Sequence, residues 1–254
     1  MHGAQLTVLG SLVGAVAGPS WLPAVSKPVL YGFASGISVV LGALVGTFWG
    51  PSDRVMGILL AFAAGALVTA ASYELIEPAF AVGGQLVTSA WVLLGAGLFA
   101  GVDYAFTHWT SGGGESGWSL LASVTLDGVP ENAALGIVLL GGSSAGLALV
   151  AAFFASNFPQ ALGGTRAMLD DDYGTWKTLA GWFAVSVIVG ASVWAGNALF
   201  AGFGDATLAA LRAFAGGAVL ASLADEVFPD AYADVSSATA IATAVGFVMT
   251  YVLK

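Results

Sequence analysis

The chain is an almost unbroken series of apolar runs, each about as long as a membrane is thick. Candidate spans fall at 4–20, 29–49, 54–78, 85–109, 118–140, 144–168, 176–202, 206–229 and 235–253. All but the first meet or approach the ~20 residues that carry a helix across the hydrocarbon core. The longest polar connections are Thr110-Ser-Gly-Gly-Gly-Glu-Ser116 and Asp170-Asp-Asp-Tyr-Gly-Thr175, so no separate soluble domain fits anywhere. Of the 254 residues, 58% are hydrophobic and 8% charged, whereas a soluble domain carries about a quarter charged residues. Backbone groups in lipid must be satisfied within the spanning structure, which leaves helices or closed barrels. The runs are far longer than the ~10-residue alternating segments of a membrane barrel. The expected fold is therefore an all-α, polytopic membrane helix bundle, with residues 1–254 forming a single transmembrane domain.

The first run, Leu6 to Ala17, is short and ends at Gly18-Pro19. It is expected as an additional N-terminal helix over 4–20. A signal peptide is the alternative, although only His2 and the amino terminus precede the run and a basic leader is missing. The 36 glycines suit close helix packing in lipid. There is no cysteine, hence no disulfide and no thiolate for a soft metal. Fifteen acids stand against six bases, and no basic stripe for nucleic acid exists. Orientation is undecided, because Arg54, Arg166 and Lys177 fall on one side of the membrane and Lys27, Arg212 and Lys254 on the other.

Two consecutive central spans carry matched polar clusters. The first reads Asp127-Gly-Val-Pro-Glu131-Asn132 and the second Ser156-Asn157-Phe-Pro-Gln160-Ala161. Asp127 and Glu131 are four residues apart, on one helix face, so both carboxylates can grip one cation. Two ionised carboxylates in lipid are untenable alone, and a divalent ion between them cancels the charge. Pro130 lacks the N–H that would bond the Leu126 carbonyl, and Pro159 does the same at Ala155, so each frees an oxygen near its cluster. Asn157 and Gln160 add neutral carbonyl ligands, with Ser156 a weaker one. The bland alternatives are a protonated or backbone-bonded carboxylate pair in the first cluster and helix-to-helix hydrogen bonding in the second.

A repeat runs through the chain. Ala61–Ala79 aligns without gaps on Ala213–Ala231, an offset of 152 residues, with small residues recurring in register. Glu74 falls on Glu226, and the prolines that follow, Pro78 and Pro229, fall within one residue of each other. Such repeats are the usual plan of secondary transporters. The acids Asp225, Glu226, Glu74 and Asp103 are candidates to line an ion pathway, whereas Glu77 reads better as a solvent-facing helix end. His108 beside Trp109 reads as an interfacial residue, and His2 as a solvated terminal one.

These segments resemble the ZIP (Zrt-, Irt-like) family of divalent-metal transporters, in a divergent, prokaryotic-type form. The family's fourth helix carries a His-Asn-x-x-Glu-Gly-like pattern, here Asp127-Gly128-Val129-Pro130-Glu131-Asn132. Its fifth carries a His/Gln-Glu/Asn-x-Pro-His/Glu pattern, here Ser156-Asn157-Phe158-Pro159-Gln160, and its seventh an acidic run, here Asp225-Glu226-Val-Phe-Pro229-Asp230. The resemblance implies a 3+2+3 arrangement of eight core helices, with 29–109 as the first three-helix half, 118–168 as the central metal-site helices and 176–253 as the second half. It implies a multi-pass protein of a cell membrane, expected in a prokaryotic plasma membrane, with the lipid bilayer and metal ions as partners and a homodimer as an expected assembly. The sequence departs from the family where Asp127 replaces a His, Gly128 replaces an Asn ligand, and 176–202 lacks the sixth-helix acid. The remaining shell of Asp127, Glu131, Asn157, Gln160 and Ser156 is all oxygen, which favours harder ions such as Mn, Mg or Ca over Zn, and the departures from the family pattern point to one metal rather than two.

The expected function is transport of divalent ions of the Zn, Mn or Fe class, with Mg and Cd as further candidates, the metal being substrate and no organic cofactor being implied. No G-x-x-x-x-G-K-[ST] motif supports ATP-driven pumping. No HExxH motif supports an enzyme, and none is expected. The competing functions are a carrier of protons or another solute using the same acids, and a non-transporting membrane relative.

Overall fold

The computed structural model describes residues 26–110, 117–141, 146–235 and 237–253. The proposed N-terminal helix over 4–20, His2, and the loop holding Glu115 lie outside them. Helices are α1 (Lys27–Phe48), α2 (Asp53–Ala70), α3 (Glu77–Thr110), α4 (Gly117–Val138), α5 (Leu147–Asp170), α6 (Thr175–Phe200), α7 (Asp205–Ser222), α8 (Phe228–Val235) and α9 (Ala238–Val252). No strand occurs among the described residues. Among the described residues, six helical stretches are long and apolar enough to cross a membrane. The protein is thus an all-helical, multi-pass membrane bundle.

One of those stretches, Asp53–Phe106, has 54 residues. A straight helix of that length would reach about 80 Å, far beyond a hydrocarbon core of ~30 Å. The chain breaks at Gly84, whose φ of 70° and ψ of 175° are non-helical and open to glycine without strain. Following the chain from helix to helix, the α1–α2 and α5–α6 connections and the end of α8 lie on one face of the bundle, termed here the first face. Gly84, the end of α4, the start of α5 and the α6–α7 connection lie on the second.

The 152-residue repeat is visible in local geometry. Asp53–Ala70 and Asp205–Ser222 begin and end at matching positions. Each helix then widens into a π-helical turn, Ala71–Ile76 and Leu223–Val227. In the first turn the Glu77 N–H donates to the Ser72 carbonyl, and in the second the Phe228 N–H donates to the Leu223 carbonyl. Both donors immediately precede a proline. The ring of Pro78 or Pro229 cannot accept the carbonyl four residues back in a tight α-turn, and a wider turn relieves the clash. Beyond the turns, Thr88 Oγ1 donates to the Ala79 carbonyl at 3.0 Å, and Thr239 Oγ1 donates to the Ala231 carbonyl at 3.1 Å.

The repeat extends to packing. A Cβ on Gly65 (α2) would run into the Thr243 carbonyl of α9, and one on Gly246 (α9) into the Phe62 carbonyl of α2. In the second half, Gly217 (α7) meets the Val92 carbonyl of α3, and Gly95 (α3) meets the Phe214 carbonyl of α7. Residues 65 and 217, and 62 and 214, are repeat partners, so each half lends its second helix to the third helix of the other. Similarly, α1 lies on α5 through Gly42 and Gly46, while α6 lies on α4 through Gly196 and Gly136. With one crossing per span the halves run in opposite directions, an inverted repeat.

The core follows from these contacts. Leu67, Leu75, Leu135, Leu149, Phe153, Val219 and Leu223 join α2, α4, α5, α7 and the π turns in one buried cluster. Trp182, Val39, Ala161 and Met168 join α1, α5 and α6 in a second, in which Gly164 accommodates the fully buried Trp182 ring.

Candidate functional site

Both prolines of the polar clusters sit inside continuous helices, Pro130 in α4 and Pro159 in α5. Asp127 is 5% exposed, and Glu131, one turn on, is half-buried. Both line a cavity of about 190 Å³ that extends from mid-bundle on the second-face side, walled by Phe99, Ile137, Phe200, Leu211 and Phe214. Ser222, at the end of α7, donates to Asp127 Oδ2 at 3.5 Å, the outer limit for such a bond. Asp127 Oδ1 is buried with no donor upon it.

The other cluster divides. Gln160 lines a different cavity, of about 350 Å³, on the first-face side, together with Asp53, Met56, Leu60, Ser123, Glu226 and Asp230. Asn157 and Ser156 are buried, each 2% exposed, and line neither cavity. The Asn157 amide donates to Ser35 Oγ of α1 at 3.4 Å, which is the helix-to-helix role weighed for it from sequence. Gly128 also finds a packing use, since a Cβ there would lie 3.0 Å from a Val189 methyl of α6. Asn132 turns back on its own helix, its amide donating to the Gly128 carbonyl at 2.8 Å.

Between the two cavities lies a layer of acids. Glu226, in the second π turn, comes within hydrogen-bonding reach of Asp127 and accepts from Ser123 Oγ at 3.3 Å. Glu131 and Asp103 add their fields to Asp127. Among the described residues, no cationic side chain is among the groups acting on Asp127, Glu131 or Glu226. Carboxylates crowded in this way cannot all remain ionised without a counter-charge, so the layer needs shared protons or a bound cation. Among the described residues, no three His, Cys, Asp or Glu side chains converge as a ready-made metal cage.

The pathway candidates separate. Glu226 lines the first-face cavity and Asp103 is half-buried beside the acid layer, whereas Asp225 is exposed and lines neither cavity. Glu74 is half-buried near the second face, where its Oε2 accepts from the Gly146 N–H at 3.3 Å. Glu77 is exposed, and so is His108, whose ring lies against Tyr104 at a centroid distance of 4.0 Å. Sequence reasoning passed over Ser123 and Ser222, which place hydroxyls on the acid layer from α4 and α7. Ser123 stands four residues before Asp127 and Ser222 four before Glu226, so helical spacing could have drawn attention to both.

No protein-family model matches the chain, and a search of curated proteins finds no relative. The class of protein defined by fold and site is a multi-pass helical membrane protein with an acid layer between two cavities.

Proposed function

We propose that the protein is a ZIP-like transporter moving divalent metal ions of the Zn, Mn or Fe class by alternating access. In this reading the bundle is the 3+2+3 arrangement of eight core helices with a short additional N-terminal helix, α4 and α5 form its centre, and it sits in a prokaryotic plasma membrane. The observation that carries the proposal is the acid layer: Asp127, Glu131 and Glu226 lie in one mid-bundle layer, and among the described residues no side-chain cation acts on them. A divalent ion supplies the missing charge. Asp127 and Glu131 are its primary ligands, since both face one cavity and Asp127 Oδ1 is an unused acceptor. Gln160 and Glu226 meet the ion from the first-face cavity. Asn157 and Ser156 reach it only if α5 turns, because in this conformation Asn157 is engaged with Ser35. The inverted repeat gives alternating access a physical basis, because two similar halves can exchange roles about a fixed layer.

A second reading has one observation in its favour. Asp127 and Glu226 lie within hydrogen-bonding reach of each other, an arrangement that can share a proton without metal. Uptake into liposomes separates the two. The metal reading requires Zn or Mn flux that Glu131→Ala abolishes and Ser156→Ala reduces little, since a carboxylate neutralises charge and a hydroxyl offers only a dipole. Proton flux without metal flux would establish the second reading instead.

A further inference from the structure

The two faces of the inverted repeat are not equivalent, and the difference lies in one residue pair. Glu74 and Glu226 are repeat partners, each in a π turn, at opposite faces. The repeat partner of Arg212 is Leu60. At the first face, Leu60 and Glu226 both line the 350 Å³ cavity. At the second face the equivalent positions hold Glu74 and Arg212, and there they tie helices together. The Arg212 guanidinium donates to the Ile137 carbonyl at the end of α4 at 3.2 Å, and its Nη2 also lies against Gly141. Glu74 accepts from the Gly146 N–H at the start of α5. The Glu74 and Asp205 carboxylates act electrostatically on the guanidinium. One acid from the π turn that follows α2 and one base from α7 therefore hold both ends of the α4–α5 connection.

We propose that Glu74 and Arg212 form a latch that closes the second face, and that Leu60, standing where a second arginine would close the first face, leaves that face open. The latch deepens, and rests on, the alternating-access reading above. It makes the first-face-open state the resting conformation: α4 and α5 carry the candidate ligands and are fixed at the second face until the latch parts.

The chain contains no cysteine, so single cysteines report accessibility without background. Ala218→Cys marks the cavity toward the second face and Met56→Cys the cavity at the first. With a hydrophilic maleimide on detergent-solubilised protein, Met56→Cys should react quickly and Ala218→Cys slowly. Adding Arg212→Leu should speed Ala218→Cys labelling about tenfold, the change expected for loss of a hydrogen bond to a charged group. Adding Leu60→Arg to Arg212→Leu should slow Met56→Cys labelling, because the latch is then moved to the other face. Labelling of Ala218→Cys that stays within about twofold of its starting rate in folded Arg212→Leu protein would overturn the latch. If Arg212→Leu does not fold, Glu74→Gln is read in the same way, with the same refuting result. Labelling needs no metal, so a failed latch is distinguishable from a failed transport proposal, which is judged by uptake alone.

Discussion

Replacing Gly65 or Gly217 by alanine should disrupt the bundle to nearly the same extent. The two are repeat partners at equivalent helix crossings. A Cβ on Gly65 would lie 2.7 Å from the Thr243 carbonyl carbon, and one on Gly217 would lie 2.8 Å from that of Val92, with the carbonyl oxygen closer still in each case. Carbon atoms rest at about 3.5–4.0 Å, so each helix pair must part by roughly 1 Å. Backbone cannot rotate away as a side chain can, and Gly246 and Gly95 hold the same pairs together from the partner helices. The expected cost is about 1–3 kcal/mol for each substitution, as for overpacking in a dense core. Gly97 is the control: a Cβ there meets nothing within 4 Å, so Gly97→Ala should be neutral or stabilise by about 0.5–1 kcal/mol through helix propensity. Thermal unfolding in detergent, followed by size-exclusion recovery after heating, reads all three. If Gly65→Ala and Gly217→Ala behave like Gly97→Ala, or differ widely from each other, the interlocked repeat is not what holds the bundle.

Other substitutions probe the site and the core. In the proposed ZIP-like reading, Asp127→His places at this position the imidazole usual in ZIP proteins and should shift competitive uptake in liposomes from Mn toward Zn, because imidazole suits Zn better than carboxylate does. Tight Zn selectivity in the unmodified protein, unaltered by Asp127→His, would show that the ligands lie elsewhere. Trp182→Ala should cost about 3–5 kcal/mol, because the ring is fully buried against Gly164. Thermal unfolding measures that loss, and a change below about 1 kcal/mol would mean that the cluster around Trp182 collapses to fill the space.

Much of the fold was legible because its signals are local. Apolar run length placed the helices, and Glu74 and Glu226 placed the repeat. The extension of the seventh long helix to Val235, beyond the expected 229, was hidden because Pro229 reads as a stop. In fact Pro229 sits just past a π turn that absorbs its clash, and the helix runs on. The site was legible only in part. The i, i+4 spacing correctly put Asp127 and Glu131 together, since one helix decides that. Whether Asn157 and Gln160 face the same space depends on how α5 is turned against α1 and α7, and Ser35 captures Asn157 from a helix about 120 residues away in sequence. Arg212 carried no signal when counted only toward membrane orientation, and it acquires meaning only beside Leu60 in the repeat.

The most direct test of the account is anomalous diffraction from crystals grown with Mn. The account predicts a single strong peak in mid-bundle, coordinated by Asp127 and Glu131, that disappears in Glu131→Ala. A protein that binds Mn in solution but shows its peak elsewhere, with Asp127 and Glu131 bonded only to each other and to Glu226, would contradict it.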